Sequence, residues 1–468
     1  MTSNRPRTGW TLALVSAALF MVTLDNLVVT TALPRIRVDL GASLSGLEWI
    51  VNAYTLSFAV LLLTGAALGD RFGRRRIMSI GLSIFTAASA VAALSPNTTV
   101  LIAARAVQGA GAALVLPLTL TILSEAFPAG RRGVALGIWS GVSGLGVALG
   151  PVVGGAVVSG ISWHWIFWLN VPIGLVVIPL ARMRLTESFG PNRHLDLPGV
   201  ALASGGLLGV VYALVRANAL GWTSPMVLGT AIAGAVLLAG FVAWELRTET
   251  PMLPMRFFRS RAFTATNGVS LAMYFGMFGV IFLLAQFFQT AQGYSPLGAG
   301  LRTLPWTAMP IFVAPLAGLL SDRIGSRPLM FAGLAMQATA LAWLATELSP
   351  TLPYIEMVAP FALAGAGMAL VFAPAANAVL GSVRPEEAGQ ASGATNAIRE
   401  VGGVLGVAVL ASVFSASGGY ASPAAFVDGL IPAVAVAAIV LAVGAAIALA
   451  IPGLRRGAPR SAEIAVPA

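Results

Sequence analysis

The stretch from Leu62 to Met78, LLTGAALGDRFGRRRIM, runs an apolar segment into an aspartate and then into four arginines within six residues. Its core returns as GLLSDRIGSR, from Gly318 to Arg327. Asp70 and Arg71 match Asp322 and Arg323, Gly73 matches Gly325, and Arg75 matches Arg327, all at one offset (322 − 70 = 252). Both copies sit in short loops between long apolar segments. One charged loop repeated in both halves of such a chain points to a transporter built from two related bundles.

The bulk composition agrees. Of 468 residues, 57% are hydrophobic and 9% charged, and the mean hydropathy is +0.88; a soluble domain carries about 25% charged residues. The net charge of +10 does not mark a nucleic-acid binder, because the arginines cluster in short loops between apolar runs rather than along one soluble face. All 27 basic residues are arginine, so the lysine of a phosphate-binding G-x-x-x-x-G-K-[ST] loop, and with it an ATP-driven pump, is excluded. The chain has no cysteine, hence no disulfide, thiolate metal site or cysteine nucleophile. No cluster of His, Asp and Glu suits an integral-membrane enzyme, and no cofactor or metal is expected. Arginine without lysine, with abundant Ala and Gly, suggests a GC-rich bacterial genome.

Crossing a bilayer takes about 20 apolar residues. Fourteen candidate spans are present, at 10–33, 47–69, 77–95, 99–123, 134–159, 163–181, 197–216, 225–245, 263–290, 299–320, 328–347, 354–380, 391–416 and 428–452. The thirteenth is interrupted by Arg399, Glu400 and several glycines. The first carries Asp25 in its middle and is too long for a signal core. With the N-terminus inside, the inner loops hold nearly all the arginines and the outer loops little beyond Arg35 and Arg37. Both termini are then cytoplasmic. The repeated loops follow spans two and ten, so a six-plus-six repeat requires two extra helices between the halves. The expected organisation is a six-helix bundle over 1–181, two inserted helices with their loops over 182–262, a second six-helix bundle over 263–452, and a cytoplasmic tail over 453–468.

Span five holds Gly137, Gly146, Gly150, Pro151, Gly154 and Gly155 in the pattern G-x8-G-x3-G-P-x2-G-G. Gly146, Gly150 and Gly154 recur every fourth residue and so share one helix face, which permits close approach of another backbone. Pro151 removes one internal hydrogen bond and bends the helix.

With these residues in view, the chain resembles the major facilitator superfamily, specifically its fourteen-span drug/proton antiporter branch. The span-five run is similar to that family's antiporter signature, and Leu24-Asp25 through Ala32-Leu33-Pro34 resembles its first-span motif. The RFGRRR loop resembles the signature between spans two and three. LIAARAVQGAGAA, Leu101 to Ala113, resembles the fourth-span arginine motif. Trp163-His164-Trp165-Ile166-Phe167 with Asn170-Val171-Pro172-Ile173-Gly174 resembles the segment opening span six, and Arg399-Glu400-Val401-Gly402-Gly403 resembles a late-span motif. The departures are Ala66 and His164, where glycine and arginine are usual, and Glu400, where glutamine is commoner. The resemblance implies an all-α integral membrane protein with two six-helix bundles and two inserted helices, exporting lipophilic and in some cases cationic drugs in exchange for protons. It also implies a monomer in the cytoplasmic membrane, whose partners are the bilayer, protons and a small lipophilic substrate. A major-facilitator importer or facilitator of a small metabolite is the alternative, against which the glycine–proline run argues.

Charged residues inside spans need a reason, because each costs at least about 2.5–3.5 kcal/mol. Asp25 and Arg105 fall at similar depths, roughly 14 Å and 11 Å from one face at about 1.5 Å per residue. One reading is a carboxylate that exchanges protons beside an arginine that tunes it; the other is a permanent ion pair locking two helices. Glu400 is either a second proton or cation site or a packing partner for Arg302 or Arg399. By the resemblance, Asp70, Arg71, Gly73, Arg74, Arg75, Asp322 and Arg323 form an ion-pair latch that steadies one conformation. Spans nine and ten are rich in aromatics, and Asn26, Phe278, Phe282, Gln286 and Trp306 are the candidate lining of a substrate cavity. Such aromatics could equally face lipid.

Overall fold

A computed structural model describes residues 8–190, 196–249, 251, 253–384 and 387–453. Among them the regular structure is entirely helical. The first half comprises α1 (Thr8–Leu40), α2 (Leu44–Phe72), α3 (Arg74–Ala93), α4 (Thr98–Ala126), α5 (Ala129–Gly160), α6 (Trp165–Trp168) and α7 (Asn170–Arg184). Next come α8 (Leu197–Leu220) and α9 (Pro225–Glu245), then a 3₁₀ turn over Met255–Arg259. The second half has α10 (Arg261–Gln286), which ends in a π turn over Phe287–Ala291. It continues with α11 (Pro296–Arg302), α12 (Leu304–Thr307), α13 (Met309–Ile324), α14 (Ser326–Glu347), α15 (Tyr354–Leu380), α16 (Ala388–Ser417) and α17 (Pro423–Ala448). Thirteen segments are long and apolar enough to cross a bilayer, and α5, with 32 residues, supplies the fourteenth.

Local chemistry sets the boundaries. Ser43, Asn97, Asp196, Ser260, Ser295 and Ser422 each accept a hydrogen bond from a backbone N–H in the first turn of the helix that follows, satisfying donors that a helix start leaves open. Span ten is not one helix: it breaks at Thr303 and Ala308 into α11, α12 and α13, with Pro305 and Pro310 just inside the two new starts. Proline tolerates a first turn and not a continuation. Span thirteen is a single unbroken helix despite Arg399 and Glu400.

Lipid offers helices no hydrophobic drive to associate, so small residues that let backbones touch carry the packing. A Cβ on Gly81 of α3 would lie 2.8 Å from the Gly111 carbonyl of α4, and one on Gly111 2.9 Å from the Gly81 carbonyl. In the second half, Gly333 of α14 and Gly367 of α15 make the same reciprocal contact at 2.5 and 2.4 Å. Gly81 and Gly333 share the offset of the charged loops (333 − 81 = 252).

The apolar core is not symmetric from end to end. One cluster joins both halves near the arginine-poor ends of the helices, where Leu27, Leu33 and Leu47 belong with Phe282, Phe288 and Trp306, and it runs on through the second half to Met330 and Ile451. Toward the arginine-rich end the core divides: Met78, Leu82, Leu118 and Leu185 belong to a first-half cluster, and Phe257, Phe263, Val379 and Ala391 to a second-half one. Midway, Leu56 and Val60 of α2 meet Val404 and Ala408 of α16 and Val211 and Val215 of α8. Helix α8 therefore packs against both α2 and α16 at once, while its partner α9 is largely peripheral.

Candidate coupling site and latch

Asp25 is almost wholly buried in α1, at 1% exposure. Arg105 on α4 pairs with it, Nη1 to Oδ2 at 2.5 Å. Gln108, one turn along the same face of α4, donates to Asp25 Oδ1 at 2.8 Å, and Asn170 at the start of α7 donates to the same oxygen at 2.7 Å. The network closes on itself: Arg105 Nη1 also donates to Gln108 Oε1 at 2.8 Å, and Gln108 to Ser89 Oγ of α3 at 2.8 Å. Arg105 Nε reaches the Ile50 carbonyl at 3.2 Å, and its guanidinium lies 4.1 Å from the Tyr54 ring centre on α2. Five helices thus converge on one carboxylate. Removing one partner of a buried pair leaves an uncompensated charge, at about 3–5 kcal/mol.

Gln108, Asn170, Ser89 and Tyr54 were not among the residues singled out from sequence, though Gln108 and Asn170 lie inside the quoted motifs. The i, i+3 spacing of Arg105 and Gln108 puts them on one helix face, which is the signal that could have found Gln108.

Glu400 occupies the flank of α16 defined by Val404 and Ala408 at four-residue spacing, and its Oε2 has no hydrogen-bond partner. It lies within electrostatic reach of Tyr54, as do Asp25 and Arg105. Tyr54 thus stands between the first-half cluster and Glu400, and no hydrogen bond links the two directly.

The charged loop between α2 and α3 turns at Gly73, whose φ of +103° favours glycine. Arg74 bridges Asp70 at 2.8 Å and also pairs with Glu125 of α4. Glu187, just past α7, accepts from the Arg75 backbone N–H at 2.9 Å and faces its guanidinium at 3.5 Å. Hydrogen bonds from Arg74 N to Ser188 O at 2.9 Å and from Gly190 N to Asp70 O at 3.0 Å strap this segment across the loop. Among the described residues Arg71 pairs with no carboxylate; its guanidinium lies 5.0 Å from the Phe72 ring. The second copy turns at Gly325 with φ +85°, but Ser326 stands where the first has Arg74, and Ser321 and Ser326 share a 3.1 Å hydroxyl contact. Arg323 is exposed, and the Asp322 side chain lies outside the described residues. Among the described residues the ion-paired form belongs to the first half.

On α5, a Cβ at Gly146, Gly150 or Gly154 would meet Thr23 at 3.0 Å, Leu27 at 2.8 Å or Thr31 at 2.4 Å, all on α1. A Cβ at Gly155 would instead run into the Pro296 carbonyl of α11, and one at Gly300 into the Pro151 carbonyl. The surroundings of Gly137 lie outside the described residues. The glycine face of α5 therefore seats the helix that carries Asp25, and its next face closes on the second half.

Of the candidate cavity residues, Phe282, Gln286 and Trp306 are buried in the shared core, Phe278 nearly so, and Asn26 is partly exposed with its Oδ1 unpartnered. Tyr420, in the loop after α16, donates to Gln286 Oε1, and Arg37 of α1 lies 3.5 Å over the Tyr420 ring. Gln289 donates to the Thr31 carbonyl at 2.9 Å. These contacts close the arginine-poor end across the two halves. His164 stacks on Trp163 at 3.7 Å; His194 lies outside the described residues. No group of three or more potential metal ligands occurs among the described residues.

Residues 15–407 match the family model described as Major Facilitator Superfamily, with a further match over 266–465. The tetracenomycin C resistance and export protein of Streptomyces glaucescens is 34% identical over 432 residues, covering 92% of this chain and 80% of that protein. The puromycin resistance protein pur8 of Streptomyces alboniger is 36% identical over 451 residues, covering 94% and 89%. The multidrug resistance protein Stp of Mycobacterium tuberculosis (strain CDC 1551 / Oshkosh) is 36% identical over 410 residues, covering 87% and 76%. Among solved structures, a peptide transporter POT in complex with sulfate has a TM-score of 0.72 at 17% identity, covering 96% of this chain and 95% of that one. A bacterial homologue of the human lysosomal transporter Spinster, inward-facing and unoccupied, has a TM-score of 0.67 at 17% identity over 96% and 97%.

Proposed function

This chain belongs to the major facilitator superfamily, and from that membership we propose that it exports lipophilic drugs or antibiotics across a bacterial cytoplasmic membrane in exchange for protons. Its relatives are named as resistance and export proteins for chemically different antibiotics, which supports drug efflux as the task. The observation that carries the coupling is the buried Asp25 carboxylate with Arg105, Gln108 and Asn170 as donors.

In this reading the arginine-rich end is cytoplasmic, by the bias of basic residues to that side, and so are both termini. The divided core makes the described state inward-open. Asp25 is ionised there and neutralised by Arg105. When the arginine-poor end opens, a proton from outside reaches Asp25, Arg105 loses its partner, and α1 is free to shift on its α5 seat. Returning to the inward-open state releases that proton to the cytoplasm. One substrate leaves as one or more protons enter, and Glu400, across Tyr54 from the cluster, serves as a second carboxyl on the substrate side. The Asp70–Arg74–Glu125 latch biases which end stands open, since a two-state element responds only to groups that bind its states differently.

The helices divide as two bundles, 1–181 and 263–452, with 182–262 inserted, and the working unit is a monomer. Efflux of a dye panel from everted membrane vesicles, with and without a proton gradient, tests the proposal. Gradient-dependent uptake into the vesicles supports it, whereas gradient-independent equilibration would leave a facilitator.

A further inference from the structure

We propose that Arg399 is an anion-recognition group in the transport path, so that the substrates include planar aromatic acids. The inference rests on the efflux reading and names a substrate class for it. Arg399 stands eleven residues into α16 (399 − 388 = 11), about 17 Å from the helix start at roughly 1.5 Å per residue. That depth lies between the shared core, which contains Phe278, and the second-half cluster of Phe263 and Ala391.

A guanidinium stays charged at this depth, and intramembrane charges are retained when they are paired or used. Arg105 is paired. Arg399 forms no ion pair among the described residues, its Nε and Nη2 have no hydrogen-bond partner, and its Nη1 makes a 3.4 Å bond to Asn396 Oδ1. Adjacent Glu400 points about 100° away around the helix, on the flank that faces α2; it lies within electrostatic reach of Arg399 but forms no ion pair with it among the described residues. Two donors in a planar fork are thus left without an acceptor.

What surrounds the fork is aromatic. The guanidinium carbon lies 5.8 Å from the Tyr274 ring centre and 5.9 Å from that of Phe372. These two rings meet edge to face at 6.0 Å, and Phe278 extends the surface at 5.6 Å from Tyr274. Gly403, one turn along α16, lets that helix pack directly against Phe278, since a Cβ there would lie 3.2 Å from the ring. A flat ring system with a carboxylate or phenolate at its edge satisfies every part of this arrangement. The rings take its face, and the fork takes two acceptors side by side. A planar cation of the same shape gains the ring contacts but meets the guanidinium as a like charge.

The test uses two xanthene dyes of similar shape and opposite charge, fluorescein and rhodamine 6G, titrated into the purified full-length protein and followed by fluorescence anisotropy. Arg399→Gln is expected to weaken fluorescein about tenfold, as loss of a charged hydrogen-bond pair does, while rhodamine 6G keeps its affinity. Arg399→Lys, which keeps the charge without the fork, is expected to fall between. Absence of fluorescein binding to the wild type, or equal weakening of both dyes in Arg399→Gln, would overturn the proposal. Binding at equilibrium needs no proton gradient, so a failure of proton coupling would leave this result standing, and the reverse also holds.

Discussion

Asp25 Oδ1 takes one hydrogen bond from Gln108 and one from Asn170, so the two amides can be removed separately. Asn170→Ala is expected to cost about 1–3 kcal/mol, the penalty for leaving a buried acceptor short of a donor. It should appear as a lower thermal transition in detergent together with slower efflux; unchanged values of both would show that Asn170 is a bystander. At the latch, Asp70→Asn leaves Arg74 with Glu125 as its only anionic partner among the described residues. Turnover should then fall severalfold with substrate affinity nearly unchanged, because the substitution biases a conformational equilibrium and not the binding surface. Lost binding with intact turnover of bound substrate would contradict the latch. The sequence exposes Asp25 and Arg105 because charge inside an apolar span is conspicuous. Gln108, Asn170 and Ser89 are not conspicuous, since neutral polar side chains are common in spans and only the fold brings three helices around one carboxylate. The unpaired state of Arg399 is invisible in sequence for the same reason.

At the scale of the helix, the stripe on α5 is readable as a period of four, but its partner is not. The structure makes that partner α1, along Thr23, Leu27 and Thr31 on either side of Asp25. Gly154→Leu would drive a side chain into Thr31 and the Val28 carbonyl, which lie 2.4 and 2.6 Å from a Cβ. Gly229→Leu on α9 meets nothing within 4 Å. The first should abolish drug survival and raise proton leak in vesicles while the second leaves both unchanged. Equal tolerance at both sites would reduce the stripe to generic packing and favour the importer alternative. The break of span ten into three pieces was legible in principle from Pro305 and Pro310, yet the apolar pattern continues across both and hides it. The second charged loop repeats the glycine turn, with Ser326 standing where the first loop has Arg74.

Over the whole molecule, fourteen spans and two related halves follow from hydropathy and the repeated loop, whereas the conformational state does not, because it depends on which end of the core is shared. Tyr420 bridges the halves at the closed end, under Arg37 and onto Gln286. Tyr420→Ala should shift the population toward opening there. The chain lacks cysteine, so spin labels at Ser45→Cys and Ala421→Cys report the gap directly. A longer distance component is expected in the Tyr420→Ala background, and an unchanged distribution would remove Tyr420 from the closure.

Asp25 is proposed to carry the proton exchanged for drug, and substrate-driven proton flux in proteoliposomes measures this most directly. With wild-type protein and a pH dye in the lumen, an imposed gradient of rhodamine 6G should move protons in the opposite direction to the drug. Asp25→Asn should still bind the dye and move no protons. Proton flux of wild-type size in Asp25→Asn, or drug transport without any proton movement in the wild type, would contradict the account.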